Sequence, residues 1–597
     1  GALDDAIGAL EAALALDPGF EPALRDLARF GARLHRPDFW SRALRALRQT
    51  GADSRRDPAM LLALGRTERE VGNRDSAVAA FRAYLDRGGS RGLGSLELAR
   101  TFMAFGRPGA DTLYYAGAAF DDSAAVAGYR NDIAVILSDS QLSEFDAARG
   151  NARADWLRQL WARRDAIELR APGERLAEHY RRLAYARRYF GLVVTRRYYP
   201  PECRYRSGSM DFDDRGIVYI RHGEPTKRVR TFLFGLPPNE SWRYDRPDGT
   251  LLLHFGAGAA VDDYRLLPGV LDVYTSCSYV GFSSPATPVD VYQSREELDT
   301  LYSRLVATYG TSAAWQYARE ERRISAMSMA VGTETDSYER RFARTLPAAV
   351  RLTAVGRDGN RTLLHVTYAL GGNALTPEAG QHSRYLVRLR LVLFDQRGAV
   401  GASVDTAVVL ETRTAVPPGS LLFGRFAVAV PPGTWHYRLA LQQGDSAGQV
   451  LPRDSVVVPR FDQPSLTLSD PVLGWRPIGV SWERAADTVF FSPFRSYYRD
   501  AALELYYEVY GMAPGSTYQT ELIVSERQRG RANGPARVQL KFDDVADAPT
   551  TSGRRTLDLR QFKPGTYWLD IIVTDARHRR ESRRTWFEVK AHPGPPQ

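Results

Sequence analysis

His222, Glu224 and His254 are the residues of this sequence best suited to chemistry. Two imidazoles and a carboxylate on neighbouring strands could ligate a metal, or act as acid and base in a metal-assisted hydrolysis. With nine histidines in 597 residues, chance adjacency is the stronger expectation. Just upstream, Asp211, Asp213 and Asp214 with Gly216 begin like a calcium loop. Arg215 stands at its fifth position and His222 at its twelfth, where a bidentate Glu belongs, so the EF-hand pattern fails. A looser cation site on the three Asp is the alternative to ordinary turn capping.

Residues 187–206 read RRYFGLVVTRRYYPPECRYR. Cations interleaved with rings, above all Arg196, Arg197, Tyr198 and Tyr199, could track an acidic polysaccharide or a phosphate backbone. No RNA-binding signature accompanies them, which disfavours nucleic acid. The plainer expectation is a partly buried segment whose Arg heads snorkel to water. Arg215, Trp242 and Tyr244 complete the binding candidates, with Arg215 expected to act as a fork on carbonyls or on Asp214.

Cys203 and Cys277 are the only cysteines. Two thiols alone cannot build a zinc site. They form either a disulfide, worth roughly 4 kcal/mol by loop entropy, or a pair of unrelated free thiols. The phosphate-binding GxxxxGK[ST], the zinc-binding HExxH and the nucleophile-bearing GxSxG are absent, and no cofactor is expected. Gly256-Ala257-Gly258 lacks the third glycine of a dinucleotide loop and reads as the end of a strand.

The elements that must position these residues are partly legible. The run Ile217–His222 is apolar or amphipathic and rich in β-branched residues, which predicts a strand, with Gly223-Glu224-Pro225 as the turn that stops it. Ser241–Tyr244 and Thr250–Phe255 flank Arg246-Pro247-Asp248-Gly249, a hairpin signal. Leu298, Leu301, Leu305 and Trp315 predict one apolar face of a helix over 296–329, with Glu320, Glu321, Arg322 and Arg323 on its solvated side.

The order Asp214-Arg215-Gly216, Val218-Tyr219-Ile220-Arg221, Gly223-Glu224-Pro225 and Glu240-x-Trp242-x-Tyr244 resembles the GWxTD-domain family of bacterial proteins. Met210 to Asp214 stand where that family has Gly-Trp-x-Thr-Asp, so the Gly, Trp and Thr are replaced. The resemblance covers about residues 150–330 and implies a bacterial, often exported protein, with no reaction assigned.

At 597 residues the chain should hold about three to five domains. The predicted fold class is multidomain α + (α+β) + all-β. A helical-repeat solenoid over 1–125 precedes a helical lead-in and small mixed domain over 126–335, then tandem β-sandwiches over 336–462 and 463–592. Ala6, Leu10, Ala13 and Pro18, and more fully Leu64-Gly65, Ala77 and Phe81, keep tetratricopeptide offsets. Pro432-Gly433-Thr434-Trp435 returns as Pro564-Gly565-Thr566-Tyr567, one copy per immunoglobulin-like or fibronectin-like module. Residues 461–469, with Pro464, are the expected boundary.

The net charge of +10 is carried almost wholly by Arg, as a GC-rich coding bias produces, so it is weak evidence for nucleic acid. No apolar run is long enough for a membrane helix. The chain opens on Gly1, as a processed or truncated product would. The expectation is a non-catalytic extracytoplasmic scaffold in a cell-surface or extracellular assembly. It would bind a protein partner through its repeats and self-associate through sandwich edges. A metal-assisted hydrolase and a polyanion binder are the alternatives.

Overall fold

The computed structural model describes residues 2–17, 20, 22–23, 41, 44, 47–48, 57–192, 197–201, 203–258, 263–275, 277, 285–378, 383–475, 480–484, 487–527 and 534–591. The chain divides into two compact units, Gly1–Glu339 and Arg340–Gln597. The first holds an N-terminal helical region and a small mixed α+β segment; the second holds two β-sheet modules.

Local chemistry sets the helix boundaries. Asp57 caps Pro58–Val71 by accepting from the Ala59 N–H. Gly72, at φ 94, lets its own N–H and that of Asn73 return to the carbonyls of Arg69 and Glu68. The next helix, Arg74–Asp86, presses Phe81 against Gly65, where a Cβ would meet the ring at 2.6 Å. The small-against-large spacing therefore has a packing cause. Pro18 lies outside the described residues. Charge then joins the helices in series. Buried Glu97 accepts from Arg66, Arg69 and Arg100. Arg100 continues to Asp132, which also accepts from Tyr180 and Arg187. Arg153, on Gly150–Ile167, donates to the carbonyls of Ala118, Phe120 and Ala148. Such carbonyls at helix ends have no partner within their own helix.

The mixed segment corrects the sequence reading at its centre. Asp214–His222 is a helix, not a strand. Asp213 caps it through the Gly216 N–H, and Gly223, at φ 75, ends it. All but Arg221 are buried, Asp214, Arg215 and His222 among them, and the apolar core of the run, Ile217–Ile220, is too short to separate helix from strand by its period. Four antiparallel strands follow in spatial order, β1 (Lys227–Thr231), β2 (Asn239–Tyr244), β3 (Leu251–Ala257) and β4 (Tyr264–Leu267). The β2–β3 hairpin forms as predicted, with Gly249 at φ 121 in its turn. The 296–329 pattern resolves into two helices, Thr300–Ala307 and Ser312–Glu334, separated at Gly310 (φ 82). The second lies on β3, where Ser328 Oγ accepts from the Leu252 N–H. Leu298, Leu301 and Leu305 are buried and Arg322 and Arg323 exposed, as predicted, but Glu321 faces inward and Trp315 is exposed.

In the second unit, β5 (Arg344–Thr345), β6 (Ala348–Asp358), β7 (Arg361–Gly371), β8 (Ser383–Phe394), β9 (Val400–Thr412), β10 (Leu421–Val430), β11 (Gly433–Gln443), β12 (Ala447–Val450) and β13 (Asp454–Val458) make the first module. Its sheets, β10-β7-β6 and β5-β12-β11-β8-β9 with β13 on β11, share a core that includes Leu364, Val366, Leu389, Leu391 and Leu439. The second module runs from β14 (Thr467–Leu468) and β15 (Val472–Gly474) through the hairpin β16 (Val480–Arg484)–β17 (Asp487–Phe491) to β18 (Ser496–Tyr498), β19 (Ala502–Tyr510), β20 (Thr517–Glu526), β21 (Ala536–Val545), β22 (Thr550–Asp558), β23 (Gly565–Asp575) and β24 (Arg580–Lys590). Its sheets, β14-β19-β15 with β22 on β19, and β18-β24-β23-β20-β21, meet over Leu505, Tyr507, Leu522, Leu569 and Ile571. These are β-sandwiches, sheet on sheet.

The repeated Pro-Gly-Thr-aromatic device performs one job twice. Trp435 Nε1 donates to the Pro431 carbonyl at 2.9 Å, and the Tyr567 hydroxyl donates to that of Lys563 at 2.8 Å. Each ring reaches back four residues and closes the turn into its strand. Between the modules, Phe461 is buried and stacks on Tyr510 at 4.1 Å. The Ala354 N–H donates to the Asp470 carboxylate, and the Asp470 N–H to the Ala354 carbonyl. The β16–β17 hairpin brings Trp482 and Phe491 against His365 of β7.

Candidate functional site

Asp213, Asp214, Arg215, His222 and His254 lie inside the mixed segment, bonded to its other elements. Arg215 places two nitrogens on Asp213, at 2.9 and 2.7 Å, and a third on Glu240 at 3.1 Å. Its guanidinium lies 3.4 Å from the centre of the Tyr264 ring. Glu240 also takes the Trp242 indole N–H and Arg228. Arg197 bridges Asp214 and Asp263, and Asp214 accepts the Leu266 N–H of β4. Burial works against the charge on Arg197, but Asp214 and Asp263 outweigh it and raise its pKa. Asp213 and Asp214 thus face guanidinium groups in the interior, while Asp211 is exposed. Trp242 and Tyr244 are core residues, the Tyr244 hydroxyl donating to the Gly223 carbonyl.

His222, Glu224 and His254 are not brought together. The His222 ring has Ser337 Oγ at Nδ1 and the Gly332 carbonyl at Nε2. Burial, with Arg246 and Arg182 nearby, pushes its pKa down to about 3. Glu224 is exposed and lies 3.6 Å from Arg228. His254 belongs to a different chain of bonds. Arg295 Nε donates to Ser241 Oγ at 2.7 Å, and that hydroxyl is hydrogen-bonded to His254 Nδ1 at 2.7 Å. His254 Nε2 lies 3.1 Å from Tyr302 and Ser325 and 3.3 Å from Glu321. Glu321 also accepts from the Val270 N–H and from Ser325. Burial raises the Glu321 pKa, but His254 and these donors outweigh it and hold it below the usual range.

Serine, histidine and carboxylate in that order would suit nucleophilic catalysis. Here Ser241, His254 and Glu321 are at most 2% exposed, and the serine oxygen already accepts from Arg295. The arrangement links sheet, helix and loop internally. The spacing of 13 and 67 residues between its members gives no sequence signal, and Glu321 reads locally as part of a solvated EERR run. Among the described residues, no cluster of three His, Cys, Asp or Glu side chains is placed to hold a metal.

A second concentration of charge fastens 335–339, the last residues of the first unit. Asp336 accepts from Arg164 and Arg175. Arg182 donates to the Ser337 carbonyl, Arg221 to that of Thr335, and Arg170 to those of Tyr338 and Glu339. Arg170 also lies 3.7 Å from the centre of the Tyr338 ring, and Arg246 pairs with Glu339. Sequence reasoning missed this set, because its arginines are spread over 83 positions (246 − 164 = 82, counted inclusively).

Cys203 and Cys277 are joined by a disulfide, with Cα atoms 5.1 Å apart, in a core that includes Leu252, Leu267 and Tyr302. In the Arg/Tyr segment, Arg197 does not snorkel; it is buried on its two carboxylates. Tyr199 is half-buried beneath it, whereas Tyr198, Arg204 and Arg206 face solvent. Arg196 lies outside the described residues.

No known family pattern matches the chain, and no curated protein sequence matches it. Among solved structures it is similar to red sea bream transglutaminase, at 12% identity and a TM-score of 0.15, over 47% of this chain and 34% of that one. The chain therefore spans about a third of the transglutaminase's length. It is also similar to the fibronectin(III)-like modules of Clostridium thermocellum CbhA, at 10% identity and a TM-score of 0.12, over 40% of this chain and 94% of that one. A tetra-tandem repeat in the extending region of a large adhesion protein matches at 13% identity and a TM-score of 0.13, over 41% of this chain and 49% of that one. At such TM-scores the superpositions carry no weight for function, and the sandwich architecture rests on the strand pairing and shared cores of this chain.

Proposed function

We propose that this chain is a non-catalytic, extracytoplasmic scaffold of the GWxTD-domain kind. Tetratricopeptide-like helices present a surface to a protein partner, the mixed segment serves as a rigid hub, and two fibronectin- or immunoglobulin-like modules space or self-associate. One observation carries this reading. Asp213, Asp214, His222 and His254 are buried and bonded to neighbours, and the exposed Glu224 and Asp211 stand apart from both histidines, as a hub requires and a reactive cleft does not. The buried disulfide supports an oxidising compartment. Self-association would use β9, a 13-residue strand at the edge of its sheet.

Cross-linking and light scattering of natively isolated protein test the proposal. The expected result is a stoichiometric protein partner, cross-linked to helices between residues 58 and 147. A lone 66.7 kDa chain, or hydrolytic turnover abolished by His254→Ala, would overturn it. The exposure of Tyr198, Arg204 and Arg206 supports a second role in binding acidic polysaccharide. Such binding would fall steeply with salt.

A further inference from the structure

The outer face of the second module's larger sheet carries a row of rings and guanidinium groups. Leu569, Ile571 and Phe587 point into the core, so Trp568 and Trp586, paired across β23 and β24, stand on the opposite face. Arg527 lies 4.7 Å from the centre of the Trp568 ring and 4.9 Å from that of Trp586. Arg495 lies 4.8 Å from the Trp586 centre and Arg584 5.3 Å from that of Trp568. The row therefore runs Arg495, Trp586, Arg527, Trp568, Arg584. Asp570 matches Arg584. Arg495 and Arg527 form no ion pair among the described residues, and no acidic residue stands between Arg527 and Arg537 in the sequence. Arg351 of β6 adds a further cation. Arg351 and Arg495 both donate to one neutral oxygen, Thr585 Oγ1, at 3.3 and 3.2 Å. Arg351 is 8% exposed, its other neighbour Tyr497 is also neutral, and its Nη1 has no hydrogen-bond partner. Asp470 lies within electrostatic reach of Arg351, Arg495 and Arg583, but its carboxylate accepts from the Ala354 N–H. Burial, then Arg351 and Arg527, lower Arg495 to about 10, so it stays charged at neutral pH.

Cations held side by side without counter-charges repel one another, and an oxyanion between them would relieve that repulsion. A guanidinium fork fits the paired oxygens of a carboxylate or a sulfate. The two rings already hold cations, so they offer bases no platform for stacking. Both Trp are half-buried and do not project as a membrane anchor would. A row of forks along a flat sheet face suits an extended chain that carries oxyanions at intervals. We propose that this face binds an acidic polysaccharide, with Arg495 and Arg527 as the forks on its carboxylate or sulfate groups. The site belongs to the second unit and is independent of both the protein partner and the Tyr198–Arg206 segment proposed above.

The test is isothermal titration of the full chain with polygalacturonate, dextran sulfate and neutral dextran. It is run in the background Tyr198→Ser/Arg204→Gln/Arg206→Gln, which removes the segment in the first unit and isolates this face. At least one acidic chain should bind, more weakly as salt rises, and the tighter of the two names carboxylate or sulfate as the group recognised. Neutral dextran should not bind. Arg527→Gln, at an exposed position, should weaken binding about tenfold or more, with thermal unfolding unchanged. Arg495→Gln/Arg527→Gln should weaken it further. Four results would each overturn the proposal: no binding of either acidic chain in that background, neutral dextran bound as tightly, Arg527→Gln without effect, or single-stranded DNA bound more tightly than both polysaccharides.

Discussion

Replacing one carboxylate should loosen the end of the first unit. Asp336 receives Arg164 Nε and Nη2 at 3.1 and 3.2 Å and Arg175 Nη2 at 2.9 Å. Burial raises its pKa, but the two guanidinium groups outweigh burial and hold it well below the usual carboxylate range. Burial and nearby Arg182 lower Arg175 to about 10, which leaves it charged at neutral pH. The Arg175 side chain has no exposed surface, so water cannot replace a lost partner. Breaking a buried pair from one side costs about 3–5 kcal/mol. We therefore expect Asp336→Asn to destabilise the first unit by about 3–5 kcal/mol. Urea titration read through hydrogen exchange of the amides in Glu174–Tyr189 would report that unit by itself. Adding Arg175→Met to Asp336→Asn removes the stranded charge and should restore at least about 1 kcal/mol. A loss below about 1 kcal/mol for the single variant, or a further loss in the double variant, would refute the assignment of the fastening to this ion pair.

Acid should weaken both units. Burial is the main cause that holds His179, His222 and His365 at about 3, below their ordinary 6.5. The unfolded chain thus binds protons first, and stability present above pH 6.5 declines as pH falls toward 3, by about 2 kcal/mol per histidine at pH 5. Chemical denaturation at pH 7 and pH 5 checks this, and His365→Gln should flatten the dependence in the second unit. Joint replacement of Cys203 and Cys277 by Ser should cost roughly 4 kcal/mol by the loop-entropy model, measured against the oxidised parent in urea. Gly65→Ala should cost about 1–3 kcal/mol, because its Cβ would meet the Phe81 ring, with thermal unfolding as the readout.

What the sequence disclosed was local, and what it hid was tertiary. Pro247-Asp248-Gly249 marks its hairpin because turn chemistry lies within a few residues. Gly65 and Phe81 keep a helix-pair offset because one helix must yield to the other's ring. The Pro-Gly-Thr repeat marks both sandwiches because each copy must close the same turn. Residues 214–222 misled because the β-favouring run Ile217-Val218-Tyr219-Ile220 dominates a nine-residue helix whose polar residues are mostly buried as well. The EERR run misled because Glu321 is turned inward by His254, 67 positions upstream. The candidate histidines were legible as residues, but their partners Ser337, Ser241, Tyr302 and Ser325 come from elements that only the fold brings near. The pairing of Cys203 with Cys277 stayed open for the same reason.

The stacking of Phe461 on Tyr510, together with the reciprocal bonds of Ala354 and Asp470, has a mechanical consequence. Tandem modules strung on a pliant tether dissipate a pull as slack before any force reaches the far end. Here the join holds aromatic area and main-chain bonds that must break before the modules can swing apart, so tension on one is felt at once by the other. In the scaffold proposed above, the pair would serve as a strut of set reach, keeping whatever it carries at one distance.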